Sequence, residues 1–136
     1  MYFCGLDVTI FYVKRYRETH DLTHCILGQE TSLVGEVLVK WVEAVQFRLP
    51  MAVGGAIFGP LRFKPNQREA YHQLLPWAIQ QGTEAKFLLN IYYEQRWEQD
   101  LEDFRKEYNF HHHLVSKLFV CIIYFIYHIL SWACCP

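Results

Sequence analysis

Residues His20 to Glu36 read HDLTHCILGQETSLVGE, a helix end, a turn and a helix start in seventeen residues. If residues 11–27 are helical, the 3.6-residue period stacks His20 and His24 one turn apart with Asp21 on the flank of the same surface. Gly28 then stops the helix and GQETS turns the chain. A second apolar-periodic segment begins near Leu33, with Thr31 or Ser32 as its cap and Glu36 in its first turn. The expected unit is a helical hairpin that returns Glu36 toward the two histidines. Two imidazoles and two carboxylates suit a divalent cation, zinc first, with manganese or ferrous iron as competitors. Two histidines at i, i+4 also fit an ordinary solvated helix face shared with Arg15, Arg17 and Glu18, so spacing alone leaves both readings open. Gly35 favours the site. A glycine inside a helix costs about 1 kcal/mol relative to alanine, and close approach of a neighbour is a natural reason to keep it.

Outward from this hairpin, the periodicity is helical rather than strand-like. The second helix, Leu33 to about Phe47, carries Leu33, Val34, Val37, Leu38, Trp41, Ala44 and Val45 on one stripe. Lys40 and Glu43 fall elsewhere around it and read as a structural ion pair or an exposed face. Cys25 lies about 100° round the helix from His24, which makes it a small buried side chain rather than a ligand. Leu49 to Pro60 is apolar and glycine-rich. Gly54, Gly55 and Ala56 let helices pack closely or open a smooth surface for an apolar ligand. Asn66 and Glu69 form a capping-box pattern for a helix to Gln81 that stops at Gly82 and is kinked or divided by Pro76. His72 is isolated and reads as solvent-facing or hydrogen-bonded. Ala85 to Tyr93 is helix or a short extended piece, and Glu94 to Tyr108 reads as an amphipathic surface helix with Trp97, Leu101 and Phe104 on one side.

Composition sets the class. With 136 residues, 52% apolar and 17% aromatic, there is room for one domain and a modest core, and a formal charge of −1 gives no electrostatic case for nucleic acid. The five cysteines lack CxxC spacing, so a reducing compartment is the default. The opening MYFCGLDVTIF is apolar without the basic, serine-rich character of a transit peptide. From Leu118 to Cys135 eighteen residues carry no formal charge. As a helix they would reach about 27 Å, a marginal membrane span, but an alternative chain ending is the favoured reading. His111 to His113 carry no partner geometry.

The runs RYRETHDLTH, GEVLVKWVEAVQFRLPM, FGPLR, LPWAIQQG and YYEQRWEQDL resemble the coenzyme Q biosynthesis protein 4 family. That family is marked by His-Asp-x-x-His, eleven residues and then Glu. The likeness covers about Tyr12 to Glu107, so residues 1–110 read as a partial helical metal-binding domain and residues 111–136 as a divergent apolar tail, in a shortened form. The resemblance implies an all-α, irregular multi-helix bundle with a zinc signature on His20, Asp21, His24 and Glu36. It implies zinc-dependent carboxy-lyase work in ubiquinone synthesis: loss of the ring C1 carboxylate from a polyprenylated 4-hydroxybenzoate. It also implies organisation of the other biosynthetic enzymes at the matrix face of the mitochondrial inner membrane, with a polyprenylated benzoate or quinone lipid as ligand. A non-catalytic, metal-stabilised scaffold and a zincin-like hydrolase are the alternatives. In the latter Asp21 would be a general base one methylene shorter than the usual glutamate.

Overall fold

The computed structural model describes residues 4–111. Five α-helices follow in order: α1 (Cys4–Leu27), α2 (Leu33–Phe47), α3 (Pro50–Phe58), α4 (Pro65–Glu84) and α5 (Leu101–Glu107). Tight 3₁₀ turns occupy Gly59–Arg62, Leu88–Asn90 and Tyr93–Gln95, and no strand occurs among the described residues. The fold is all-α, as the periodicity implies.

The hairpin forms where the sequence places it. Gly28 takes the left-handed conformation (φ 62°), and the Gln29 N–H returns to the His24 carbonyl at 3.0 Å, closing α1. Ser32 opens α2, its hydroxyl accepting from the Gly35 N–H. A Cβ on Gly35 would stand 2.0 Å from the Glu30 carbonyl oxygen. The glycine is there because the turn folds directly over the first turn of α2.

α2 is the central rod. Leu38, Val39 and Val42 are fully buried, against Tyr71, Trp77 and Ala78 of α4 and Ile26 and Leu27 of α1. Gly82 lies inside α4 rather than ending it, because a Cβ there would meet the Val45 Cβ at 2.8 Å. It serves helix contact, not termination. Pro76 also lies within α4 without dividing it, the missing N–H removing one bond from an otherwise continuous ladder. The turn that opens α4 is closed two positions earlier than Asn66 and Glu69 suggest, by the Lys64 N–H donating to Gln67 Oε1 at 2.9 Å. Gly55 packs on the Lys40 stem, whereas Gly54 faces open space.

The C-terminal half departs most from the sequence reading. Helix is confined to Leu101–Glu107, and Asp100 caps it by accepting from the Glu102 and Asp103 N–H groups. Phe104 is buried, but Trp97 is exposed, so the expected apolar stripe does not form. Two arginines fasten this half to α1. Arg15 donates to Glu94 at 2.6 Å and to the Ile91 carbonyl at 2.9 Å, and Arg105 donates to the Ile26 and Cys25 carbonyls at 2.7 and 2.9 Å. No helix among the described residues is long and apolar enough to cross a membrane. The apolar run Leu118–Cys135, together with most of the tail read as a separate segment, lies outside the described residues.

Candidate metal centre

Two facing stripes build the site. On α1, Tyr16, His20 and His24 recur every four residues. On α2, Glu36, Lys40 and Glu43 recur at i, i+4 and i+7, which a 3.6-residue period places on one face. The hairpin brings the stripes together.

The imidazoles of His20 and His24 stand edge to face with centroids 5.0 Å apart. The Nε2 atoms of His20 and His24 each lie 3.0 Å from a different oxygen of the Glu36 carboxylate. Ligand atoms of these three residues all fall within 4.8 Å of one another. Their far nitrogens are engaged. His24 Nδ1 contacts the Gln29 carbonyl at 3.2 Å, and His20 Nδ1 contacts Glu43 Oε1 at 2.7 Å. Since a carbonyl and a carboxylate only accept, each Nδ1 carries the proton. The two Nε2 lone pairs of neutral rings would then face two carboxylate oxygens, acceptor against acceptor. A positive species has to stand between them, either a proton on each ring or one shared cation.

The surrounding charges agree. Burial pushes the Glu36 carboxyl up, but the charges of His20, Lys40 and His24 and the hydrogen bond from His20 outweigh it and hold the group below its ordinary value. These charges describe the case of a proton on each ring, in which the carboxylate is ionised; with neutral rings the Lys40 charge is the one that remains. The hydrogen bond to Glu43 raises the His20 pKa, against the opposing effects of burial and of Lys40. Glu43 itself is fully buried, and its Oε2 receives the Tyr16 hydroxyl at 2.8 Å and the Lys40 ammonium at 3.1 Å. Burial first, then the Glu43 charge, hold the Tyr16 hydroxyl protonated well above the usual tyrosine range.

Of the four residues expected to converge, the structure gathers His20, His24 and Glu36. Asp21 is exposed beside them and shares with His24 an open hollow of about 490 Å³. Cys25 is exposed rather than buried and stands outside the cluster. The pairing of Lys40 with Glu43 is present at 3.1 Å, but it is no exposed face. Their register with Glu36 was the signal that could have found them; charge alone suggested surface.

The donor set fits a divalent cation. Bonds of about 2.0–2.2 Å put the ligands of one zinc roughly 3–4 Å apart, and the two nitrogen-to-carboxylate pairs already stand at 3.0 Å. Fold and site thus define an all-helical protein with a two-histidine, carboxylate-bearing cluster at a helix hairpin. The sequence model of the coenzyme Q (ubiquinone) biosynthesis protein Coq4 family matches residues 6–113, and the chain belongs to that family. It is 53% identical over 105 residues to the mitochondrial ubiquinone biosynthesis protein COQ4 homolog of Aedes aegypti, covering 76% of this chain and 38% of that protein. The Mus musculus homolog of the same name is 52% identical over 98 residues, 71% of this chain and 37% of the relative. The chain thus spans less than half the length of these curated relatives. The crystal structure of a protein assigned to ubiquinone biosynthesis from Nostoc punctiforme superposes with a TM-score of 0.65 at 22% identity, over 71% of this chain and 49% of the other. That likeness supports the fold.

Proposed function

We propose that His20, His24 and Glu36 hold a divalent cation, zinc first, with Asp21 at the open edge beside them, and that the centre serves ubiquinone biosynthesis by removing the C1 carboxylate from a polyprenylated 4-hydroxybenzoate. Manganese and ferrous iron suit the same mixed nitrogen and oxygen donors. The observation that carries the reading is the pair of Nε2 atoms facing one carboxylate at 3.0 Å, an arrangement that requires positive charge at its centre. Family membership supports the pathway.

When bound, the cation supplies a positive centre for the carboxylate or phenolate of the substrate. The chain's own residues do the rest. His20 and His24 are fixed by their Nδ1 contacts, so the wall of the site is preorganised. Glu36 keeps 40% of its side chain exposed and Asp21 is open to solvent, which leaves a side for substrate to enter. A closed structural site has no such side. On α3 and the turn after it, exposed Met51, Ile57, Phe58 and Leu61 offer apolar area for a polyprenyl tail. The chemistry is balanced without an oxidant. A proton adds to the ring carbon that bears the carboxylate, the carbon–carbon bond breaks, its electron pair returns to the ring, and carbon dioxide leaves.

Its relatives are named as mitochondrial; the proposed place of action is the matrix face of the inner membrane, beside other ubiquinone-biosynthesis enzymes. The test is to supply 4-hydroxy-3-methoxy-5-polyprenylbenzoate to the metal-loaded protein and follow the decarboxylated phenol by mass spectrometry. Phenol that forms with metal, and not after chelation or with His24→Ala, supports the reading. Metal uptake without phenol would replace catalysis with the non-catalytic, metal-stabilised scaffold.

A further inference from the structure

Glu43 is the most deeply buried charge near the site, with no exposed surface, and its two oxygens are divided between two tasks. Among the described residues, Oε1 meets only His20 Nδ1, at 2.7 Å. Oε2 takes the Tyr16 hydroxyl at 2.8 Å and Lys40 Nζ at 3.1 Å, and Lys40 also donates to the Tyr16 oxygen at 2.6 Å. Three partners from two helices therefore fix the plane of this carboxylate. Gly55 leaves room for the arrangement, since a Cβ there would stand 3.2 Å from the Lys40 Cγ. Lys40 Nζ is also 3.3 Å from His20 Nδ1, but two donors cannot bond each other. Both point to the oxygens of Glu43.

We propose that Glu43 is a positioning residue for the metal centre. It locks the proton of His20 on Nδ1 and so aims Nε2 at the cation, with Tyr16 and Lys40 holding Glu43 in place. The proposal rests on the metal reading of His20, His24 and Glu36. A carboxylate behind a ligand histidine fixes its tautomer and raises its basicity, and the position facing Oε1 has no other use for such a group. An apolar pair at 40 and 43 would fill the same space without burying charge, which is often neutral or favourable for stability. The charge is therefore explained by what it does to His20. His24 differs, because its far nitrogen rests on the Gln29 main-chain carbonyl, which no side-chain substitution removes.

Two measurements test this on the full chain. The first needs no variant: long-range ¹H–¹⁵N spectra of the metal-free protein, at a pH where the imidazoles are neutral, should show His20 protonated on Nδ1. A His20 that carries its proton on Nε2 overturns the proposal. The second compares zinc affinity, by chelator competition, in the unsubstituted chain and in the double variant Lys40→Met, Glu43→Leu, with Lys40→Met alone as reference. Removing both charges keeps the core neutral. We expect the double variant to stay helical by circular dichroism and to bind zinc about 10–100-fold more weakly than Lys40→Met. Equal affinity would make Glu43 a mere counterion of Lys40 and overturn the proposal while leaving the metal centre intact. If the unsubstituted chain itself takes up no zinc, the metal reading fails and the proposal falls with it.

Discussion

Gly35 and Glu30 lie so close that a single methyl group cannot come between them: a Cβ on Gly35 would stand 2.0 Å from the Glu30 carbonyl oxygen. The obstacle is main chain, which cannot rotate away as a side chain can. Gly35→Ala should therefore be destabilising by about 1–3 kcal/mol, the range for forcing a methyl into packed space, although alanine is the better helix former. At Gly54, within α3, a Cβ would meet nothing within 4 Å. There the identical change should stabilise by about 0.4–1 kcal/mol, through helix propensity and a less flexible unfolded chain. Urea unfolding of the two variants checks both signs. A Gly35→Ala protein as stable as the unsubstituted chain would mean that the hairpin turn stands farther from α2 than described.

His24 is the ligand whose loss is easiest to read, because it is buried and its side-chain partner at Nε2 is Glu36. Zinc at 100 times its dissociation constant should raise the stability of the unsubstituted chain by about 2.7 kcal/mol by mass action. His24→Ala should lose that increment. Thermal melts with and without zinc, and again after chelation, give the answer; an undiminished rise in the variant would remove His24 from the ligand set.

The hairpin was legible in the sequence because its signals are local: a stop at Gly28, a cap at Ser32, and an apolar period on either side. The three gathered ligands followed from that geometry with no tertiary information. Glu43 did not, since nothing local says that a glutamate will be buried. Its burial depends on Tyr16 and His20 arriving from another helix with donors in hand. Gly82 misled for the same reason, as a glycine that admits Val45 and one that ends a helix look alike until the neighbour is known. In the Glu94 to Tyr108 stretch the i, i+4, i+7 spacing was real, but Asp100 offered its side chain to the Glu102 and Asp103 N–H groups. That cap starts the helix late and leaves Trp97 outside it.

The clasp between α1 and the C-terminal half should respond to acid. The hydrogen bond from Arg15 holds the Glu94 carboxyl below its ordinary value of 4.5, helped by the Arg15 charge. A depressed folded pKa means that the folded state keeps this proton off longer than the unfolded chain does. Its contribution is thus fully present above the unfolded value and is lost as pH falls through the folded one. The pair is solvent-exposed, so the effect is modest and salt-sensitive. The melting temperature of the unsubstituted chain should exceed that of Glu94→Gln at about pH 6, above the ordinary carboxylate range. The gap should close as pH drops below about 4.5. A gap that persisted unchanged into strong acid would show that something other than the carboxylate charge separates the two proteins.

Arg105 offers the sharpest separation of charge from shape. Its Nε and one terminal nitrogen each reach a different carbonyl at the end of α1, Ile26 at 2.7 Å and Cys25 at 2.9 Å. There the last carbonyls lack the usual i+4 partner, and Cys25 otherwise receives only the Gly28 N–H at 3.2 Å among the described residues. The guanidinium also pairs with Glu102 of its own helix. Hydrogen bonds to a charged group are worth about 1.5–3 kcal/mol when lost, so Arg105→Met should lower unfolding stability by about that amount. Arg105→Lys keeps the favourable charge at the helix end but presents a single point donor in place of a planar fork. It should therefore restore only part of the loss, with the denaturation midpoint between the other two. Full rescue by lysine would mean that charge at the end of α1, rather than the two-carbonyl grip, is what holds α5 against it.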